Sequence, residues 1–238
     1  MPMTPEPARP SRSTTLPGRE YPVLPDPGNH VVLGTPLDGP WPEESQVLYL
    51  AGGCFWGVER FLWRQEGVVS TAVGYMGGTT PNATYQEVCT GATGHAEAVR
   101  VVYDPAVCGE GGQSLLKVFW ENHDSTRLNR HGNDVGTQYR SAVWTTTPAQ
   151  HATALALRQA FQGELTRLGR GRCVTTIDPA DQLYADFGGP FYLAEDYHQG
   201  YLHKNPGGYC NHGPHGVTCP VGVANLPAQV DVLPPQAV

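Results

Sequence analysis

The chain has no apolar run near the roughly 20 residues that cross a bilayer, which excludes a spanning helix. Its N-terminus, Met1 to Arg12, lacks the apolar core of a secretory signal. It has little charge, 16%, a net charge of −7 and no basic stripe, which argues against nucleic acid as a partner. Without an export signal the expected compartment is the reducing cytoplasm. There, cysteines that pair serve chemistry more often than architecture. Six are present: Cys54, Cys89, Cys108, Cys173, Cys210 and Cys219. Six cysteines allow about 15 pairings, and the sequence does not choose among them. At 238 residues the chain is long enough to bury one core without disulfide staples.

What the sequence does have is unevenly placed. Residues 1 to 44 hold eleven of the 22 prolines. Their first part reads as a disordered arm. Tyr21 to Pro42, with Tyr21, Val31, Val32, Leu33 and Trp41, reads as a segment lying against the body. Residues 45 to 205 carry regular patterning. Residues 206 to 238 form a Gly- and Pro-rich tail holding two cysteines, which wraps or frays after Pro220.

Within the patterned region the periodicity predicts strands at Gln46–Ala51, Val68–Tyr75, Ala96–Tyr103, Tyr139–Thr145 and Val174–Ile177. It predicts helices at Phe55–Gln65 and Gln113–His123. A long helix follows, capped by Thr147 with Pro148 in its first position, and Leu157, Phe161, Leu165 and Leu168 form its buried stripe. Tyr192 to Lys204 reads as helical. The order strand–helix–strand–strand–helix–strand predicts an α+β fold. That fold is a two-layer sandwich on a split β-α-β, ferredoxin-like core, with long irregular terminal segments.

Two residues stand out chemically. Cys54 lies in Gly52-Gly53-Cys54-Phe55-Trp56-Gly57, where a strand turns into a helix. A helix N-terminus favours thiolate over thiol. Glycines let backbone and substrate approach the sulfur, and two aromatic rings beside it suit a substrate with a small apolar end. Glu97 alternates with Val99, Val101 and Tyr103, so the pleat puts a carboxylate on an apolar face. Burial there would raise its pKa and keep it protonated, whereas a place at the strand mouth would leave it simply solvated.

Four further segments surround these two in the sequence. They are Asn82 to Cys89, Thr93 to Val99, Gly132 to Arg140, and Asp196 to Pro206 followed by Cys210 and Cys219. Together with the Cys54 motif they resemble the A-type peptide methionine sulfoxide reductases, in the same order, from about Val47 to Cys219. The resemblance implies that Cys54 attacks the sulfoxide sulfur while Gly53, Phe55 and Trp56 shape the methyl pocket. It implies that Glu97 protonates the sulfoxide oxygen, and that Tyr85 and Tyr139 hydrogen-bond it, with Asp134 lining the same site. Cys210 is implied as the resolving cysteine and Cys219 as a second recycling cysteine. It further implies methionine S-sulfoxide, free or in oxidised proteins, as substrate, thioredoxin as external dithiol, no bound cofactor or metal, and a monomer.

Two other classes compete. A cysteine hydrolase or acyltransferase would pair Cys54 with His95, His123 or His198, and would leave Glu97 and the tail cysteines unexplained. A zinc module would use Cys210, His212, His215 and Cys219, whose spacing matches no common zinc pattern well. Cys89, Cys108 and Cys173 read as packed or idle thiols, and His123-Asp124 as loop support.

Overall fold

The structure is a computed structural model that describes residues 15–183, 185 and 189–220. Its regular elements, in chain order, are β1 (Gln46–Gly52), α1 (Phe55–Leu62), β2 (Val68–Met76), α2 (Tyr85–Cys89), β3 (Ala96–Tyr103), α3 (Pro105–Cys108) and α4 (Gln113–Asn122). There follow β4 (Arg130–His131), β5 (Asp134–Val135), β6 (Ser141–Thr145), α5 (Pro148–Arg167), β7 (Thr176–Pro179), β8 (Phe191–Leu193) and α6 (Tyr201–Lys204). Six strands form one sheet in the order β7-β6-β1-β3-β2-β8, antiparallel except for the β6–β7 pair. The inner four, β6-β1-β3-β2, carry the expected split β-α-β core, with β3 between β1 and β2.

Alternation along the strands divides the sheet into two faces. Leu48 and Leu50 of β1, Val73 and Tyr75 of β2, Val99, Val101 and Tyr103 of β3 and Val143 of β6 point to one face. There they pack with Phe55, Val58 and Leu62 of α1, Leu115, Leu116, Phe119 and Trp120 of α4, and Leu157, Phe161 and Leu165 of α5. Ala51, Met76, Ala96, Ala98, Ala142 and Trp144 form the thinner layer opposite. Glu97 belongs to the helix-covered face. The β1–β3 pairing ends at Leu50–Val99, so Glu97 lies past it, level with the turn that delivers Cys54.

Several boundaries differ from expectation. Leu168 is not in the α5 stripe: it caps the helix and is 41% exposed. Strand β7 starts later than Val174, because the Val174 N–H donates to the Ser125 carbonyl at 2.8 Å instead of a strand neighbour. Tyr139 precedes β6 and closes a 3-10 turn, Thr137–Tyr139. Tyr192 to Lys204 is not one helix. Strand β8 pairs with β2, a 3-10 turn spans Asp196–His198, and only Tyr201–Lys204 is α-helical. Gly200, with φ of 61°, resets the chain between them. The Gln199 side chain continues the pairing that β8 leaves off. It accepts from the Val73 N–H and donates to the Val73 carbonyl, both at 2.9 Å.

Residues 15–44 are irregular yet bound to the body, in part as expected, since the Trp41 ring lies 4.9 Å from the Arg100 guanidinium of β3, and in part by other side chains. Tyr21, Val31 and Val32 are exposed, whereas Leu24, His30 and Leu37 are buried. Arg19 makes a paired contact with Glu87 at 2.9 Å through both nitrogens, tying the arm to α2. Residues 1–14, 184, 186–188 and the expected wrapping tail after Pro220 lie outside the described residues.

Candidate active site

Cys54 is the N-cap of α1, placed by the glycine turn at the end of β1. Gly53 has φ of 96°, and a Cβ on it would lie 2.4 Å from His131. The turn therefore admits only glycine. Cys54 is 6% exposed. Its thiol is pushed up by burial first and by the neighbouring Glu97 carboxyl second, which outweigh the Trp56 N–H. This corrects the expectation that the helix N-terminus leaves the sulfur ionised: desolvation beside acidic neighbours exceeds the gain from one backbone donor.

Glu97 is 1% exposed. Its Oε2 accepts the Phe55 N–H at 2.9 Å, one of the amides that a helix start leaves without an internal partner. Burial raises its carboxyl to about 8, with a smaller push from Asp134 against the Phe55 bond, so it carries its proton at neutral pH. Cys54, Phe55, Trp56, Tyr85, Glu97, Asp134, Tyr139 and Tyr209 line one cleft that is partly open to solvent. Seven of these eight were singled out in the sequence. Both phenols, Tyr85 and Tyr139, are held protonated, by burial first and Glu97 second.

The eighth residue, Tyr209, comes from the tail. Its hydroxyl donates to Asp134 Oδ1 at 3.0 Å and so closes one wall. A layer behind the cleft was also missed. The Trp56 indole N–H donates to His198 Nδ1 at 3.0 Å, and Tyr201 stacks on Trp56 at 3.8 Å. Glu195 accepts the Tyr85 N–H at 2.9 Å and the Tyr75 hydroxyl at 2.8 Å, fixing where Tyr85 begins its helix. In the sequence His198 stood out only as a base for a hydrolase, Tyr201 only as part of the Asp196 to Pro206 segment, and Glu195 not at all. Their partners lie more than a hundred residues away, so spacing held no signal for them.

Glu59, on α1, is fully buried behind the site. Thr71 donates to its Oε1 at 3.2 Å and the Gly200 N–H to its Oε2 at 2.9 Å. Burial raises it to about 8. His30 of the arm accepts two backbone N–H groups at Nδ1, so its proton sits on Nε2, which donates to Thr71 at 2.7 Å. Burial lowers this histidine to about 4, so the His30–Glu59 approach at 3.7 Å is between neutral groups.

Cys210 is a free thiol lying on the Gly57 face of α1. A Cβ on Gly57 would be 3.0 Å from its Sγ and 2.1 Å from His212 Nδ1. Cys219 is placed elsewhere. It is 1% exposed, its N–H donates to Glu121 at 2.9 Å, and burial pushes its thiol up to about 12. No helix or strand follows Lys204 among the described residues, so the tail is held by side chains.

The competing donors are engaged otherwise. His95 and His123 each use both ring nitrogens, on Gly78 and Thr80 and on Phe119 and Ser141. No histidine lines the cleft. His212 and His215 bond the carbonyls of Gly52 and Trp120. Among the described residues no group of three His, Cys, Asp or Glu could hold a metal ion. Among them, too, no helix is long and apolar enough to cross a membrane.

Residues 46–218 match the family model described as peptide methionine sulfoxide reductase. The chain is 56% identical over 211 residues to the peptide methionine sulfoxide reductase MsrA of Salinispora arenicola, covering 88% of this chain and 91% of that protein. It resembles the structure of methionine sulfoxide reductase A of Corynebacterium diphtheriae, with a TM-score of 0.77 and 44% identity over 90% of this chain and 98% of that one. It also resembles reduced Mxr1 of Saccharomyces cerevisiae, with a TM-score of 0.62 and 32% identity over 73% and 92% of the two chains.

Proposed function

The chain belongs to the peptide methionine sulfoxide reductase family, and from that premise we propose that Cys54 is its nucleophile and Glu97 the acid that releases the sulfoxide oxygen. The observation that carries this reading is a protonated carboxyl buried at the same helix start as a thiol, in a cleft walled by aromatic rings. Phe55 and Trp56 receive the substrate methyl. Tyr85 and Tyr139 donate hydrogen bonds to the oxygen, and Asp134 lines the wall that Tyr209 closes.

A sulfoxide oxygen leaves sulfur only when its developing charge is met by a proton. Glu97 gives that proton as Cys54 Sγ bonds to the substrate sulfur, and then takes up the thiol proton. Oxygen passes to Cys54 as sulfenic acid, and methionine is released. Burial suits this order, because both groups hold their protons until substrate arrives.

Cys210 then attacks the sulfenic sulfur, giving a Cys54–Cys210 disulfide and water. Cys219 takes over the disulfide when the tail swings away from α4. A thioredoxin-type dithiol reduces it by exchange. The substrates are methionine S-sulfoxide free and in oxidised proteins, in the cytoplasm. Residues 45–205 are the reductase body, and the enzyme works as a monomer.

The test is a single turnover of the fully reduced chain with each sulfoxide epimer of a methionine peptide, counting methionine and free thiols. Methionine from the S epimer alone, with loss of two thiols, is expected. Methionine without the loss of a thiol pair removes the role of Cys210. Turnover of both epimers removes the restriction to the S epimer.

A further inference from the structure

Helix α1 carries more than Cys54. Gly57 lies one turn beyond it, and there the missing side chain leaves room for Cys210 Sγ. Arg60 follows Gly57 by three residues, on the same side of the helix. Its Nη2 donates to Cys210 Sγ at 3.0 Å. Among the described residues no carboxylate lies within ion-pair distance of this guanidinium. Its charge is therefore directed at a sulfur. On the other side, His212 Nε2 donates to the Gly52 carbonyl at 2.7 Å and its ring stacks on His131 at 4.1 Å. The tail is thus pinned on both sides of Cys210, with its sulfur against a cation and one turn from Cys54.

We propose that Arg60 is a catalytic residue of the second chemical step, stabilising negative charge on Cys210 Sγ as it attacks oxidised Cys54. The proposal rests on reading Cys210 as the resolving cysteine. In that step the Cys210 S–H bond and the Cys54 S–O bond break and the S–S bond forms. The hydroxyl leaves with the thiol proton as water, and no external oxidant or reductant is consumed. A guanidinium holds its charge throughout the working pH range and can only donate. It meets the charge that builds on the attacking sulfur without exchanging a proton. The titratable groups around Cys210 include Cys54 at the helix cap, His212 in the tail with His131 stacked behind it, and the adjacent Tyr209, whose hydroxyl is bonded to Asp134. Arg60 is the permanent cation in this group.

The experiment is a single turnover of the full reduced chain with a methionine S-sulfoxide peptide, quenched over time. Methionine and the Cys54–Cys210 disulfide are measured separately from pH 6 to 9. In Arg60→Met, disulfide formation relative to methionine formation is expected to fall roughly tenfold to a hundredfold, the range of one charge-assisted hydrogen bond. Its pH midpoint is expected to rise, and Arg60→Lys should restore part of both. A packing role alone would leave the pH midpoint where it is. An unchanged ratio and midpoint in Arg60→Met overturns the proposal. If that variant does not fold, Arg60→Gln keeps N–H donors without charge, and wild-type disulfide kinetics there overturn it equally. Cys210→Ser tests the reading beneath: continued loss of two thiols in that variant removes Cys210 from the step whatever Arg60 does.

Discussion

Glu97→Gln should make the protein more stable and nearly inactive, and the two effects can be measured apart. In the folded chain burial raises Glu97 from 4.5 to about 8. At pH 7 the unfolded chain has released this proton and the folded chain must take it back. A gap of about 2.5 pH units opposes folding by about 3 kcal/mol. The sign follows from the direction of the shift. A carboxyl raised on folding adds stability that is fully present below 4.5 and is lost as pH rises to about 8. Glutamine needs no proton and still offers an oxygen to the Phe55 N–H. The variant should match wild type at pH 4.5 and lead by about 3 kcal/mol at pH 7. At pH 9 it should lead by up to about 5 kcal/mol. In a chain of this size, that is a Tm higher by about 6–12 °C at pH 7. Methionine formation should fall by about 10²–10⁴, as for other lost general acids. Wild type should also lose about tenfold in this step per pH unit above 8, a slope the variant lacks. Thermal melts and single-turnover assays from pH 5 to 9 decide it. A Tm difference that does not grow between pH 5 and 8.5 would refute the buried protonated carboxyl.

Two further outcomes follow from the tail. Gly57→Ala puts a methyl 2.1 Å from His212 Nδ1 and 3.0 Å from Cys210 Sγ. Methionine should still form in the first turnover, while disulfide formation slows and stability falls by about 1–3 kcal/mol, as in other overpacked sites. A thiol count per methionine equal to wild type would show that the tail does not need this gap. Burial lowers His212 and His123 to about 3, and it lowers His131 too. A histidine lowered on folding contributes stability present above 6.5 and lost as pH falls towards 3. Tail docking should therefore weaken below pH 6.5, by about 1.4 kcal/mol per unit for His212, the histidine the tail itself buries. Hydrogen exchange over residues 205–220 should be faster at pH 5 than at pH 7.5 relative to the sheet. Equal protection at both would dismiss the buried neutral stack.

How much could be read in advance depended on how local each cause was. Alternation gave β1, β2 and β3 nearly to the residue, and the Thr147–Pro148 cap gave the start of α5. Glu97 was legible because one carboxylate in a row of Val and Tyr stands out on a strand, although alternation alone did not separate a buried acid from a solvated one at the strand mouth. The Cys54 turn was legible, but the state of its thiol was not. A helix start is visible in the chain, whereas the burial that outweighs it, and the acidic neighbours that add to it, come from β3, β5 and the tail. Helix α2 hid behind a short, polar segment whose capping box is Thr84 and Glu87. The break at Gly200 hid because Gln199 bonds a strand far away in sequence. Tyr209, His198, Glu195 and Arg60 have meaning only through partners met in three dimensions.

The sheet places Cys54 early in the chain and its partner sulfur near the far end. Synthesis at about 5–20 residues per second separates the two by on the order of ten seconds. Through that interval Cys54 has neither the Tyr209 wall nor Cys210 on α1, and until β3 follows it nothing buries it. Its thiol then ionises like that of any exposed cysteine. With Cys210 in the resolving role proposed above, an oxidant that reaches Cys54 then meets no thiol to stop the reaction at sulfenic acid, and sulfinic acid is not recovered by thiol exchange. A protein that mends oxidised methionine is thus most exposed to oxidation while it is being made. Cells that raise its level after an oxidant pulse, and not during one, would obtain more working enzyme per chain.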